Sequence, residues 1–559
     1  MTNPTIPKGA VLNGPRSHPR TVEPVVLVLT IVLSVLGAFI GLHLITTLGV
    51  SANTAVIGAL VAMLVGRIPI NQLRKMRSIH RQNLVQSAIS GATFAAANSL
   101  LVPIAVPFLI GRRDLVWPML AGAAIGLAVD AWVLFRVFDS KLYPAKATWP
   151  AGVAAAETMI AGDEGGRKAA LLGLSGLVGF AGSFVKIAGA ALPFSAAGVA
   201  LIGNIWALGM FGVGLGFRQY AQEWFGVDLN AMYIPHGFMV GAGLVALVQA
   251  LVLLFRRERA KPVPERAAAP ASPEAEAAAP GLADEPPSVD SRGLRRALGE
   301  GYLLFALGAV IVALLGGLIG HFSVPALIGW CLLAGFAALV HELIVGLAAM
   351  HSGWFPAFAV TLIFLVLGLV IGFPTVPLAL FVAYVAATGP AFADMGYDFK
   401  AGWIVRQGGV PHRLVERAGR KQQYLAGLVG FAVALIVVAL VWQSYFDSGQ
   451  IPPVAKVYAD TVSHGLTDTS MLVNILLWAI PGAAIQLIGG PNRQMGVLLA
   501  TGLLILSPYA CWFVLGALVF RIVWGRVRGR DKAATELNLF GAGLIAGSSV
   551  TDVSRIVKG

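Results

Sequence analysis

LYPAKATWPAGVAAAETMIAGDEGG, residues 142–166, sits in a chain that is otherwise one apolar segment after another. It is too polar for a lipid-facing helix and too apolar for a surface loop. Pro144 and Pro150 punctuate it, and Glu157 stands among small residues. Whether this stretch crosses a membrane decides how the rest of the chain is threaded.

The surrounding composition settles the solvent. Hydrophobic residues make up 57% of the 559, charged residues 12%, and the mean hydropathy is +0.79. A soluble domain carries about a quarter charged residues. Such a chain must place most of its length in a bilayer. Its two cysteines, Cys331 and Cys511, lie in apolar runs and read as small core residues. They suggest neither a disulfide framework nor a cysteine metal site. The net charge of +13 is concentrated in short loops beside apolar segments. That is the pattern of cytoplasmic loops and not of a nucleic-acid surface. Residues 1–23 are polar, with Arg16 and Arg20 ahead of a full-length span, so no cleavable signal is expected.

A helical crossing needs ~20 apolar residues. Such runs fall at 25–48, 51–66, 84–110, 117–138, 169–187, 194–216 and 237–255 in the first half. In the second half they fall at 301–320, 325–348, 355–372, 377–393, 423–442, 466–488 and 495–524, the last broken at Ser507-Pro508, with a weaker one at 537–550. The Ala/Pro/Glu-rich segment 256–298 has no apolar period and reads as a disordered linker. The expected organisation is a cytoplasmic tail (1–24), a first transmembrane bundle (25–255), the linker, and a second bundle (299–559). The fold class is all-α: a polytopic membrane protein of 14–16 helices in two bundles, some discontinuous.

Basic clusters at Arg67–Arg81, Arg256–Lys261, Lys400–Lys421 and Arg526–Lys532 are expected on the cytoplasmic side. Counting crossings from a cytoplasmic N-terminus, the first half returns to the linker on the correct side only if one more segment crosses. Residues 142–162 are the candidate. Pro150 opens a short helix without losing a needed N–H, Gly152 and its small neighbours allow close packing, and the free helix N-terminus suits an anion.

Ionisable groups at membrane depth are costly and mark function by default. Glu157 is the first candidate, for substrate or a coupling proton. Asp130 stands alone in GLAVDAWVLF as a relay or structural partner. His341 and Glu342 form a possible proton-handling pair, though an interfacial position is the plainer reading. HELIV lacks the second histidine of a zinc peptidase, because Val345 takes its place. Among the span-end histidines, His236 is the best placed, between Pro235 and Gly237. Gln486 and Asn98 read as glue between helices. No phosphate-binding loop is present, and no metal ligand set is expected.

WPAGVAAAE (149–157) resembles the F-P-x-G-x-A-x-A-E signature of the oligopeptide transporter (OPT) superfamily, with Trp149 in place of Phe. That superfamily includes the yellow-stripe-like metal-chelate carriers. RQNLVQSAISGATFAAANSLLVPIAVPFLIG (81–111) is similar to the family's E-N-x-V-Q-T helix through Asn83, Val85 and Gln86. FADMGYDFKAGWIV (392–405) and RKQQYLAGLVG (420–430) are similar to a further region through Asp398, Lys400, Gly402, Arg420 and Gln422. FGAGLIAGSSV (540–550) resembles its terminal helix. Arg81-Gln82 and Ser548-Ser549 replace acidic residues of the pattern.

The resemblance implies a secondary active importer of small peptides, proton-coupled and working by alternating access, with metal chelates as the alternative cargo. It implies no cofactor beyond the proton gradient. The partners would be the peptide or chelate and the lipid bilayer, as monomer or homodimer, in a plasma membrane and by expectation a bacterial inner membrane. Trp149, Pro150, Gly152, Glu157, Asp130 and His236 would then serve substrate or proton. His341, Glu342, Asp398 and Lys400 would serve gating or coupling. A membrane enzyme or scaffold would need a clustered catalytic set, which this sequence does not carry; a passive channel differs in that it would not accumulate its cargo against a gradient.

Overall fold

The computed structural model describes residues 18–47, 49, 58–59, 61–62, 65, 68, 70–147, 149–162, 167–187, 190–256, 287–352, 357–406, 413–465, 469–490, 493–505, 507, 509–529, 532–534, 536–541, 543–545 and 547–548. The first half forms α1 (Pro24–Thr47), α2 (Ile79–Phe94), a π-helical stretch (Ala95–Leu101), α3 (Val102–Leu109), α4 (Val116–Val137) and α5 (Pro150–Gly162). It continues with α6 (Arg167–Gly182), a two-residue antiparallel ladder (Lys186–Ile187 with Ala190–Ala191), α7 (Phe194–Ile202), α8 (Ile205–Phe225) and α9 (Ile234–Arg256). After the linker come α10 (Ser291–Leu315), α11 (Val324–Ser352), α12 (Ala357–Ile371), α13 (Thr375–Ala387) and α14 (Pro390–Val405). The chain then runs through α15 (Arg413–Asp447), α16 (Pro453–His464), α17 (Thr469–Gly489), α18 (Met495–Leu504) and α19 (Ala510–Arg528).

This is an all-α polytopic membrane protein. Among the described residues, 8 helical stretches are long and apolar enough to cross a bilayer, and α6, α9, α12, α17 and α18 contain shorter apolar runs. Most helices match the apolar runs of the sequence to within a few residues, and the differences are instructive. The run 194–216 is two helices, because Asn204 caps a new one: its Oδ1 accepts from the N–H groups of Trp206 and Ala207 at 3.0 and 3.3 Å. The run 377–393 stops at Ala387, and a second helix, α14, extends to Val405, into the start of the segment expected to be a cytoplasmic loop. The polar helix α16 was not expected. The run 51–66 lies mostly outside the described residues, as does the linker from 257 to 286. The linker's expected end is displaced, because Asp290 caps α10 through the Gly293 N–H at 2.8 Å.

The opening stretch resolves into a buried turn and a short helix. With 13 residues, α5 is about 20 Å long, shorter than the ~30 Å hydrocarbon core. It cannot complete a crossing alone.

Packing does not divide at the linker. One apolar cluster joins α2–α5 to α10–α16, with Ala131, Phe305, Tyr384, Phe399 and Trp442 all part of it. A second joins α7–α9 to α18 and α19 through Phe211, Met239, Leu498 and Val514. Each half of the sequence therefore contributes to both groups of helices. Gln486 ties the second group together, donating to Gln249 at 2.9 Å and accepting from the Gly496 N–H at 3.1 Å. That is the helix-linking role its sequence position suggested.

The α13–α14 stretch is the most enclosed candidate span, 94% buried, against 22% for α19. Helix α14 touches α2, the π-helical stretch, α4, α5, α11 and α15. It is the axis of the first group.

Candidate functional site

An axial helix should be apolar all round, yet PAFADMGYDFKAGWIV holds Asp394, Asp398 and Lys400, all buried. Asp394 and Asp398 are one turn apart and share a face. That face meets α2, whose QNLVQSAIS run buries Asn83, Gln86, Ser87 and Ser90. Ser90 donates to Asp394 at 2.6 Å, and Gln86 donates to Asp398 at 2.5 Å. Asn83 donates to Gln86 at 3.1 Å. Gln423 of α15 bridges Ser87 and the Asp398 carbonyl at 3.0 and 2.7 Å.

The network ends in an enclosed ion pair. The Arg406 guanidinium meets Glu416 at 2.6 Å with 0% of its side chain exposed, and it also donates to Gln423 at 2.8 Å. Arg420 donates to the Phe138 carbonyl at 2.9 Å. The N-terminal segment seals this end: Thr21 bonds Gln422, and Glu23 pairs with Arg81 at 2.8 Å. Here the sequence reading needs correction. Arg406 and Arg420, expected as basic residues of a loop, are buried here beside Glu416. Carboxylate, amide and carbonyl partners supplied by α2, α15 and the α4–α5 turn let the charges be buried. Asp398 and Lys400 belong to α14, and Lys400 donates to the Ala145 carbonyl at 2.8 Å, with its ammonium 4.6 Å from the Trp403 ring centroid.

At the other end of α14 the helix is broken. Thr388 is extended and Gly389 has φ +90°, a conformation a side chain resists. Pro390 then restarts the helix at a position where its missing N–H costs nothing. Asp130 of α4 accepts from the Gly389 N–H at 2.7 Å. His341 packs against Gly389, where a Cβ would lie 2.8 Å from its Nδ1. Its Nε2 lies 2.9 Å from the Ala357 carbonyl and 3.0 Å from the Thr361 hydroxyl. Glu342, next in sequence, turns to Asp130. Asp130, His341 and Glu342 are all 0% exposed. The His-Glu pair is therefore enclosed by protein, with His341 of α11 packed against the break.

The opening stretch lies along α14 between these ends. Trp149, at φ +38°, donates its N–H to the Met350 carbonyl at 2.9 Å and seats its indole against Gly396. Gly152 meets the Tyr397 carbonyl and the Lys400 stem, so a larger residue would separate α5 from α14. The amides of Gly152 and Val153 bond the Trp149 carbonyl, so they are not free to hold an anion. Glu157 belongs to α5, but its side chain, like that of Pro150, lies outside the described residues. His236 is elsewhere: it faces Asp460 of α16 at 3.7 Å and the Tyr233 ring.

The structure thus brings together Asp130, His341 and Glu342 at one end of α14, and Asp398 and Lys400 toward the other. Sequence reasoning missed Asp394, Ser90, Gln423, Arg406, Glu416 and the break itself. The signal was present: Thr388-Gly389-Pro390 interrupts an apolar run just ahead of two acids four residues apart. Among the described residues, no group of three or more His, Cys, Asp or Glu could hold a metal ion.

A family model described as OPT oligopeptide transporter protein matches residues 23–254 and 295–556. No curated protein matches the chain significantly.

Proposed function

This chain belongs to the OPT oligopeptide transporter family, and from that premise we propose that it imports small oligopeptides across a bacterial inner membrane, driven by protons and by alternating access. The observation that carries this reading is the polar face of α14. It forms a buried line of side chains over a helix of 16 residues, about 24 Å, ending at a break where carboxyl groups collect. A discontinuous helix with acids at its break is a common way to build a transport site near the midplane. In this reading α5 forms one wall of the path. Glu157 contacts the peptide, and the N-terminus and linker are cytoplasmic, in accord with the basic clusters.

The test is uptake of a labelled tripeptide into proteoliposomes under an imposed inward proton gradient. Unlabelled peptides and metal–siderophore or metal–nicotianamine complexes serve as competitors. Accumulation above the external concentration, displaced by peptides, supports the proposal. Displacement by the complexes alone moves the cargo to metal chelates. Entry that only equilibrates contradicts active transport. Glu157→Gln should weaken peptide affinity, and unchanged affinity and pH dependence remove Glu157 from the site.

A further inference from the structure

Two residues far apart in sequence share one unsatisfied spot. Asp130 projects from α4 and Glu342 from α11, and both are fully buried. Asp130 Oδ2 accepts from Gly389, and the Phe392 N–H also faces this carboxyl. An ionised Asp130 therefore caps the N-terminus of α14, where backbone N–H groups favour a negative charge. Its Oδ1 has no hydrogen-bond partner, nor does either oxygen of Glu342. The two carboxyl groups nevertheless lie against each other.

The surrounding groups do not fill the gap. His341 is occupied by Ala357, Thr361 and Thr388. Tyr384 of α13 gives its hydroxyl to the Phe305 carbonyl at 2.8 Å, and Tyr143 gives its own to the Leu343 carbonyl at 2.9 Å. Cys331 of α11 is a buried free thiol. Among the described residues, no Arg or Lys interacts with either carboxyl. Two carboxylates have no hydrogen to offer one another, and side by side in a dry interior they repel. One hydrogen on Glu342, donated to Asp130 Oδ1, removes the repulsion and satisfies oxygens on both.

We infer that Asp130 and Glu342 form one proton-binding site, with the proton on Glu342 and Asp130 holding both that proton and the Gly389 N–H. Resting on the transport reading above, this is where the coupling proton binds. Uptake forms one O–H bond at Glu342 and lowers the pair from two negative charges to one. Release breaks that bond and restores the repulsion beside the α13–α14 break, so the protonation state bears directly on that break.

Infrared titration of the purified protein and transport by variants test the site together. Wild type should show the carbonyl band of a buried protonated carboxyl, and Glu342→Gln should lose it. A wild-type protein without that band overturns the site whatever the transport result. In proteoliposomes, Glu342→Gln and Asp130→Asn should lose peptide accumulation under a proton gradient, and its pH dependence, by about tenfold or more, the effect of one pKa unit. Exchange of labelled for unlabelled peptide without a gradient should continue, because it needs no net proton movement and the amide of Gln still donates to Asp130. Accumulation retained by both variants overturns the proton site and leaves the importer intact. Loss of exchange together with accumulation also overturns it, making the pair structural. A wild type that never accumulates peptide, yet shows the band, overturns the transport reading alone.

Discussion

The two ends of α14 both bury ionisable groups and treat them differently. At the Arg406 end each charged side chain has a partner: the guanidinium meets the Glu416 carboxylate, Asp398 accepts from an amide and the Lys400 ammonium reaches a carbonyl, although Arg406 Nη2 and Glu416 Oε1 make no hydrogen bond. At the Gly389 end two carboxyls meet with no cation and with three oxygens unbonded. Breaking a satisfied buried pair is strongly destabilising, so the first end is built to hold its shape. The second is held only when something is added to it, which is the property a transport cycle requires.

The sharpest way to break this contrast is Arg406→Ala. It leaves Glu416 enclosed without its cation and strips a donor from Gln423, and should cost ~3–5 kcal/mol in detergent unfolding. A loss near zero would mean the network is solvated. Gly389→Val should follow at ~1–3 kcal/mol, because φ +90° is strained for a β-branched residue and the side chain would strike His341. Peptide uptake should fall with it; a thermally normal and active variant would argue against a fixed break. Gln86→Leu leaves Asp398 without its amide and should cost ~1–2 kcal/mol, read as a lower melting temperature.

At the unsatisfied end, Glu342→Gln should change stability by less than ~1 kcal/mol, because the amide keeps the contact and removes a charge. A cost as large as that of Arg406→Ala would erase the distinction between the ends.

The smallest effect concerns the N-terminal seal. Burial first, then the Arg406 guanidinium, holds His18 down to about 3 from its ordinary 6.5. Since the docked form resists protonation, docking is strongest above about 6.5 and weakens as pH falls toward about 3. A spin label at the exposed Val22 should gain mobility over that interval, and His18→Phe should flatten the change.

The all-α membrane class and most helix positions were legible in the sequence, because apolar length and Pro/Gly punctuation are local signals. The chemistry at Asp398 and Lys400 was not. Charge density marked their region as a loop, while the partners that make burial possible, Gln86, Gln423 and the Ala145 carbonyl, lie far away in the chain. Asp130 was legible as a costly residue but not as half of a pair, since Glu342 belongs to another helix. The run 194–216 shows a related effect: apolar length cannot reveal that Asn204 starts a new helix inside it.

The most direct test follows protons rather than peptide. Wild-type proteoliposomes containing a pH-sensitive dye, with no gradient imposed, are given external peptide. The account predicts that peptide acidifies the lumen of wild-type vesicles and leaves the Glu342→Gln lumen unchanged while peptide exchange continues. Equal acidification by both proteins would contradict it.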